Sequence, residues 1–457
     1  MKAKYLLLVA IGSSCVSFNA CRNYVEVEQF NVRNLKYTTD YGYLLNNNTV
    51  FGQTYHTPVL SGDDLVYSNE AYQQQQTDFV GWAYTWSTQL VNDELEDLNW
   101  SRPYQQIYTA NEVIAGVMES VDGTESQKKA LLAEAKVQRA YNYFVLVNLY
   151  GAIYNPETAT EAIGVPLLLT PTLFAPLDRS SVADVYGQIV KDLQEGLVDI
   201  PTTVANKRHP NKAAVYALLA IVNLHMRNFT AARSHAEEAL QYNSELLDLQ
   251  NYATSVAGYP LTFANPETYF SKLVGQQYNE QLNPVLLALF DATDLRGTVF
   301  TQTPFNSSQM PVGAKISRKH TIMQTGASGI EAGPSVPEML LIKAEVDARS
   351  GNVELAMEAV NTLRKKRYKA EDYVALSANT AEQALLTVVN ERRREFFVSG
   401  RRWLDMRRFN LDADLAKEYR RSFKNQEHVL AINSNRYIYP VANKYLQFNP
   451  EIGQSPR

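Results

Sequence analysis

A mainly α-helical fold follows from three features of the sequence. Residues from Gln127 to Tyr150 read as one long helix, and Val182, Val185, Ile189, Leu193, Leu197 and Ile200 form one apolar stripe at helical spacing. Two blocks around Ala220 and Ala344 repeat the same intervals between small residues, as paired antiparallel helices do. Hydrophobic residues make up 45% of 457 positions, enough for a large core. One large domain, or two intimately packed lobes, is expected.

The chain opens with Lys2 and Lys4, an apolar run from Tyr5 to Ile11 and small residues up to Ala20, which reads as an export signal over residues 1–20. That run is too short to span a membrane. Cys21, preceded by Ala20 with Phe18 three back, is the expected lipidation site, ahead of Cys15, which has Gly12 at that place. Cys21 is then the sole cysteine, so no internal disulfide can form and stability must come from packing. Losing Lys2 and Lys4 takes the formal charge from −5 to −7, which argues against nucleic acid as a partner. Residues 22–57 are polar with little periodicity, and read as a tether followed by wrapping loops.

From Ala71 to Asn99 the chain passes through Phe79 and an alternating Trp82, Tyr84 and Trp86. On a strand or extended loop these three rings share one face, which serves either as a packing edge or as a stacking platform for sugar rings or peptide side chains. The candidate ligand contacts here are Trp82, Tyr84, Trp86 and Asn92. The run Asp93–Asp97 lacks the spacing of a calcium loop and is read as a solvated face.

The second half of the 127–150 helix, from Ala140, is apolar nearly all round and must be buried on several sides. Ser181 with Asp184 three residues on gives the next helix its start, and Pro201 its stop. Ala220, Ala232 and Ala239 are matched in interval by Ala344, Ala356 and Leu363, a tetratricopeptide-like spacing. The two blocks are not in tandem. Between them an irregular excursion over about 251–334, rich in aromatics, supplies Tyr269 and Tyr278 as further candidate ligand contacts.

Glu391 to Phe409 carries seven arginines on a helix, a break at Gly400 and a second helix. Arg forks bind carboxylates bidentately, so Glu391, Glu395 and Asp405 are expected to lock the two helices together, with Phe396, Phe397 and Trp403 filling the space between them: a structural clasp. The six histidines are scattered without metal-ligand spacing, and no nucleophile elbow, Walker loop or dinucleotide fingerprint is present. The reading is a non-enzyme with no cofactor and no metal ligands assigned; spacing alone does not exclude two carboxylates across a cleft, as a glycosidase needs, or a metal that holds a loop.

The run E-R-R-R-E-F-x-x-x-G-R-R-W-L-D-M-R-R resembles the C-terminal signature of the SusD/RagB family of Bacteroidetes outer-membrane lipoproteins. WSRPYQQIYTANEVI, AEAKVQRAYNYFVLVNLYG, SVADVYGQIVKDLQEGLVDIP, NKAAVYALLAIVNLHM, PEMLLIKAEVDARSGN and YPVANKYLQFNPEIGQS follow the order that family would show, from about Trp100 to the end. The resemblance implies a SusD-like α-helical scaffold over residues 21–457 with irregular ligand-binding excursions. It implies a lipid-anchored, surface-exposed protein that captures nutrient, oligosaccharide first, and passes it to a SusC-like TonB-dependent transporter. Peptide capture, as in the RagB branch, is the alternative, and a lipid-anchored glycan hydrolase the more distant one. Trp100 and Tyr104, in the WSRPYQQIY segment, are read as scaffold. The excursion is compact for the family, which implies a small or specialised ligand.

Overall fold

The computed structural model describes residues 35–275, 278–304, 309–322 and 329–456. The export signal and Cys21 lie outside them. The scaffold is built from α1 (Thr38–Leu45), α2 (Asp78–Tyr84), α3 (Leu98–Gly116), α4 (Glu125–Tyr150), α5 (Val182–Asp199), α6 (Lys212–His225), α7 (Phe229–Tyr242), α8 (Val336–Arg349), α9 (Val353–Arg364), α10 (Ala381–Phe396) and α11 (Arg401–Arg408). The protein is mainly α, as its periodicity predicts. None of the described helices is long and apolar enough to cross a membrane.

Local chemistry sets the helix ends. α4 begins two residues before Gln127 because Thr124 and Gln127 form a capping box: the Gln127 N–H donates to Thr124 Oγ (3.2 Å) and the Thr124 N–H to Gln127 Oε1 (2.8 Å). Residues 137–150 of α4 are buried throughout, because α3 and α5 pack against it from two sides. α5 starts where predicted, with the Asp184 N–H donating to Ser181 Oγ at 3.0 Å. Five of its six stripe residues are buried and Leu197 is half-buried. At roughly 1.5–3 kcal/mol for each fully buried aliphatic side chain, the stripe outweighs any propensity effect in holding α5.

The two tetratricopeptide-like pairs are α6 with α7 and α8 with α9, and α7 lies against α8. Blocks separated by about a hundred residues therefore stack as neighbours in space. Ala220, Ala232, Ala239, Ala344, Ala356 and Leu363 are all wholly buried at these contacts, where small side chains let backbones approach.

Two expectations need correction. Residues 35–57 are not loops alone: α1 and a short helix at Asn48–Phe51 bury Tyr41, Leu45 and Phe51 with Ala110, Val113, Val117 and Ala135 of the α3–α4 region. The described part of the 251–334 excursion is ordered, as its aromatic content implies, but it is not wholly irregular. Leu273–Val274 pairs in parallel with Gln53–Thr54 and antiparallel with Ile330–Glu331, and Gln281–Leu282 joins Leu65–Val66 and Ile316–Ser317. These short ladders stitch the excursion to the N-terminal segment.

The arginine stretch is a clasp of wider reach than the sequence implies. Glu391 takes Arg296 (2.7 Å), Arg394 (2.5 Å) and Arg364 (3.5 Å), and Glu395 takes Arg367 (2.7 Å) and Arg296 (3.0 Å). Arg393 reaches Asp64 (3.2 Å), Arg402 reaches Asp63 (2.5 Å), Arg401 reaches Glu338 (3.1 Å) and Arg408 reaches Glu345 (2.5 Å). Arg392–Asp405 (3.3 Å) joins α10 to α11; the other bridges mostly fasten distant segments to them. Arg407 has neutral partners, donating to the carbonyls of Tyr437 and Gly151. The rings also differ from expectation. Trp403 stacks on Tyr437 and Tyr439, and Phe397 meets Phe290, both outside the two helices, while Phe396 of α10 does meet α11, under the Arg401 guanidinium at 4.7 Å. α10 stops at Phe396, Val398 has φ +60°, and Gly400 has φ +82° with a Cβ there falling 2.5 Å from the Tyr55 ring, so only glycine fits the turn.

Candidate functional site

A cavity of about 510 Å³ opens between α2 and the 91–98 segment, within the size range of small-ligand sites. Thr77 starts α2 by accepting from the Val80 N–H, and Asp78 in the first turn suits the helix dipole. Helical spacing then sets Asp78, Phe79 and Trp82 on one face, and all three line the cavity. Trp82 is only partly buried, and its indole N–H has no partner among the described residues. The opposite wall is Val91, Asn92, Leu95, Glu96, Asp97 and Leu98. A turn closed by the Leu95 N–H on the Asn92 carbonyl (3.0 Å) leaves the exposed Asn92 side-chain amide without a partner among the described residues.

Asp97 differs from the rest of its acidic run. It caps α3, accepting from the Asn99 N–H (3.0 Å), and its second oxygen accepts from the Tyr150 hydroxyl (2.5 Å). Burial raises its carboxyl, and the bonds from Tyr150 and Asn99 oppose that rise. Asp93, Glu94 and Glu96 are exposed, as a solvated face should be.

At the buried end lies His56. Its N–H donates to Asn99 Oδ1 (3.1 Å), its carbonyl accepts from the Tyr278 hydroxyl (2.5 Å), and its ring sits 5.3 Å from that of Phe79. Burial, and then the charge of Arg102, lower its pKa to about 4, so the imidazole is neutral at pH 7.

The structure brings two of the six predicted contacts, Trp82 and Asn92, to one cavity. It sets the others apart. The expected alternation of Trp82, Tyr84 and Trp86 fails because residues 78–84 are helical and Trp86 turns inward at φ +54°. Tyr84 packs edge-on against Tyr67 (4.7 Å) and near Phe423 (5.5 Å). Trp86 is buried, its N–H donating to the Ser61 carbonyl (2.9 Å) beneath the Arg421 guanidinium. Tyr269 is buried and donates to the Asn243 carbonyl (2.6 Å), and Tyr278, also buried, holds His56 from behind. Trp100 packs with Tyr150 and Tyr104 as scaffold. Phe79 and His56 were missed from the candidate set; the Thr77-Asp78 helix start, which puts Phe79 three residues before Trp82, was the available signal. A second cavity, among Glu267, Lys319, Glu395 and Arg401, holds about 80 Å³, room for a few waters.

Comparison with known sequences places the chain. A family described as starch-binding and associating with the outer membrane matches residues 23–224, and the SusD family matches residues 336–457. The chain belongs to the SusD/RagB family. The unmatched stretch between these segments contains the excursion. At family level these are carbohydrate-binding proteins of the outer membrane that work with SusC transporters, and they are not enzymes. SusD-like protein P2 of Formosa agariphila is 24% identical over 372 residues, covering 68% of this chain and 71% of that protein. Its SusD-like protein P25 is also 24% identical, over 46% of this chain and 39% of its own length. Among solved structures, a SusD superfamily protein from Bacteroides thetaiotaomicron superposes with TM-score 0.75 at 19% identity, covering 92% of this chain and 100% of that one. A laminarin-binding SusD-like protein gives TM-score 0.68 at 18% identity over 92% and 99%.

Proposed function

We propose that this chain is a cell-surface lipoprotein, residues 21–457 forming one domain anchored through Cys21, that binds oligosaccharide in the α2 cavity and delivers it to a SusC-like TonB-dependent transporter. The observation that carries the reading is that Trp82 and Asn92, whose side chains have no partner among the described residues, line one cavity of about 510 Å³. A flat ring with a polar edge stacks on the apolar face of a sugar, and an amide supplies both donor and acceptor to its hydroxyls. Family membership and the laminarin-binding structural relative support glycan over other ligands. The role is capture without hydrolysis: Asp97, the buried carboxylate of the cavity, has both oxygens occupied in holding α3 and Tyr150. A lipid anchor would confine the chain to the transporter's membrane, so a modest interface could serve delivery.

Calorimetry on the full-length chain in detergent, against neutral glucan oligosaccharides and a peptide panel, tests this. Glycan binding that weakens about tenfold or more in Trp82→Ala, with unfolding temperature unchanged, is the expected result. Binding of peptides alone, or glycan binding indifferent to Trp82, overturns it.

A further inference from the structure

Resting on the glycan reading above, the geometry points to a more specific ligand: we propose that the cavity selects uncharged sugars over acidic ones, and that the imidazole of His56 makes the hydrogen bond at its buried end.

The first support is a polar group open to the cavity. His56 is only 5% exposed, yet neither ring nitrogen has a hydrogen-bond partner among the described residues, and neither is wholly enclosed, so the ring keeps an open edge where it lines the cavity. A polar group held open at a cavity is available to a ligand. This one is also held in place: its backbone is tied on both sides, to Asn99 and to Tyr278, and Phe79 packs against the ring. Such fixing of an unbonded ring is what a preorganised ligand contact requires.

The second support is charge. Asp78, Glu96 and Asp97 line the cavity and no lysine or arginine does. Two cations come near, and both face backbone carbonyls instead: Arg102 donates to Thr54 (3.2 Å) and Lys424 to Gln76 (3.4 Å). A uronate or sulfate placed here would meet carboxylates without an Arg or Lys fork to receive it. The neutral imidazole offers one donor and one acceptor, and a sugar hydroxyl uses both kinds. An acidic group has acceptors only, so it would leave the second nitrogen empty.

The test compares neutral laminari- and malto-oligosaccharides with oligogalacturonate by calorimetry on the full-length chain, with His56→Phe and His56→Gln variants. The neutral series should bind at least tenfold more tightly than the acidic one. His56→Phe, which keeps the ring packing, should weaken neutral-sugar binding about tenfold, and His56→Gln, which restores a donor and an acceptor, should recover most of it. Affinity is read per folded molecule, with thermal unfolding run alongside. Equal loss in both variants, or loss in neither, overturns the role of His56. Equal or tighter binding of the acidic series, still sensitive to Trp82→Ala, overturns the ligand class while the glycan reading stands. If no glycan of any charge binds, that reading falls and this inference with it.

Discussion

The arginine clasp and the α2 cavity wall are made of similar residues put to opposite use. Residues 391–409 combine arginines, acids and large rings, and so, with acids alone, does 78–98. In the clasp, nearly every charge finds a fixed partner inside the protein: Glu391 alone holds three arginines. Across the cavity wall, the side chains of Trp82, Asn92 and His56 have no hydrogen-bond partner among the described residues. Satisfied groups specify the fold, and unsatisfied ones at an opening are available to a ligand. Composition does not separate the two; partnership does.

The sharpest way to break this contrast is Glu391→Ala. It takes the carboxylate partner from Arg364 and Arg394 and one of three from Arg296, which keeps Asp294 and Glu395, all of them buried, and removing one partner of a buried ionic group costs about 3–5 kcal/mol. Urea unfolding should show that loss, with the affinity of the remaining folded protein for glycan unchanged. A cost below about 1 kcal/mol would mean that the clasp is ornamental to stability.

Acid gives the next largest effect and has a defined sign. Burial pushes the Glu391 carboxyl up, but Arg296, Arg394 and Arg364 outweigh it and hold it at about 2; Glu395, under Arg367, Arg296 and Lys319, is likewise held at about 2 against burial. Between the unfolded value near 4.5 and about 2 the unfolded chain binds more protons, so these two contribute stability above that window and lose it as pH falls through it. Carboxyls raised by burial, such as Asp64 and Glu331, work with the opposite sign down to their ordinary values of 3.8 and 4.5 and are protonated in both states only well below them, so the loss is least masked at the acid end of the window. Unfolding free energy measured from pH 5 to 2 should fall by up to about 1.4 kcal/mol per pH unit for each of the two groups. A flat profile would show that the arginine pairs do not shift these carboxyls.

Local signals in the sequence survived folding well. The Ser181 cap, the α5 stripe and the small-residue intervals of both helix pairs depend on neighbours within a few turns, and all stand as read. The clasp was legible as a clasp but not in its partners, since Asp63 and Asp64 lie more than three hundred residues from Arg402 and Arg393. The candidate site was half legible. Alternation placed Trp82, Tyr84 and Trp86 on one face only if the chain were extended, and the Thr77 cap made it helical instead. Tyr269 and Tyr278 gave no periodic cue, because their burial comes from two-residue ladders and single hydroxyl bonds to remote carbonyls. His56 was invisible as one scattered histidine; what distinguishes it is the cavity it faces.

The smallest expected effect tests the contrast from the other side. Asn92 sits in an exposed turn whose closing bond uses its backbone carbonyl, which alanine retains. Asn92→Ala should therefore leave unfolding within about 0.5 kcal/mol of the parent chain. If its free amide meets a sugar hydroxyl, the same change removes one hydrogen bond worth about 0.5–1.5 kcal/mol, a loss of roughly two- to tenfold in affinity by calorimetry. Loss of stability without loss of affinity would place Asn92 with the clasp residues, as a group whose work is internal. Loss of affinity alone would mark the cavity wall as the part of the chain whose unsatisfied groups await something outside it.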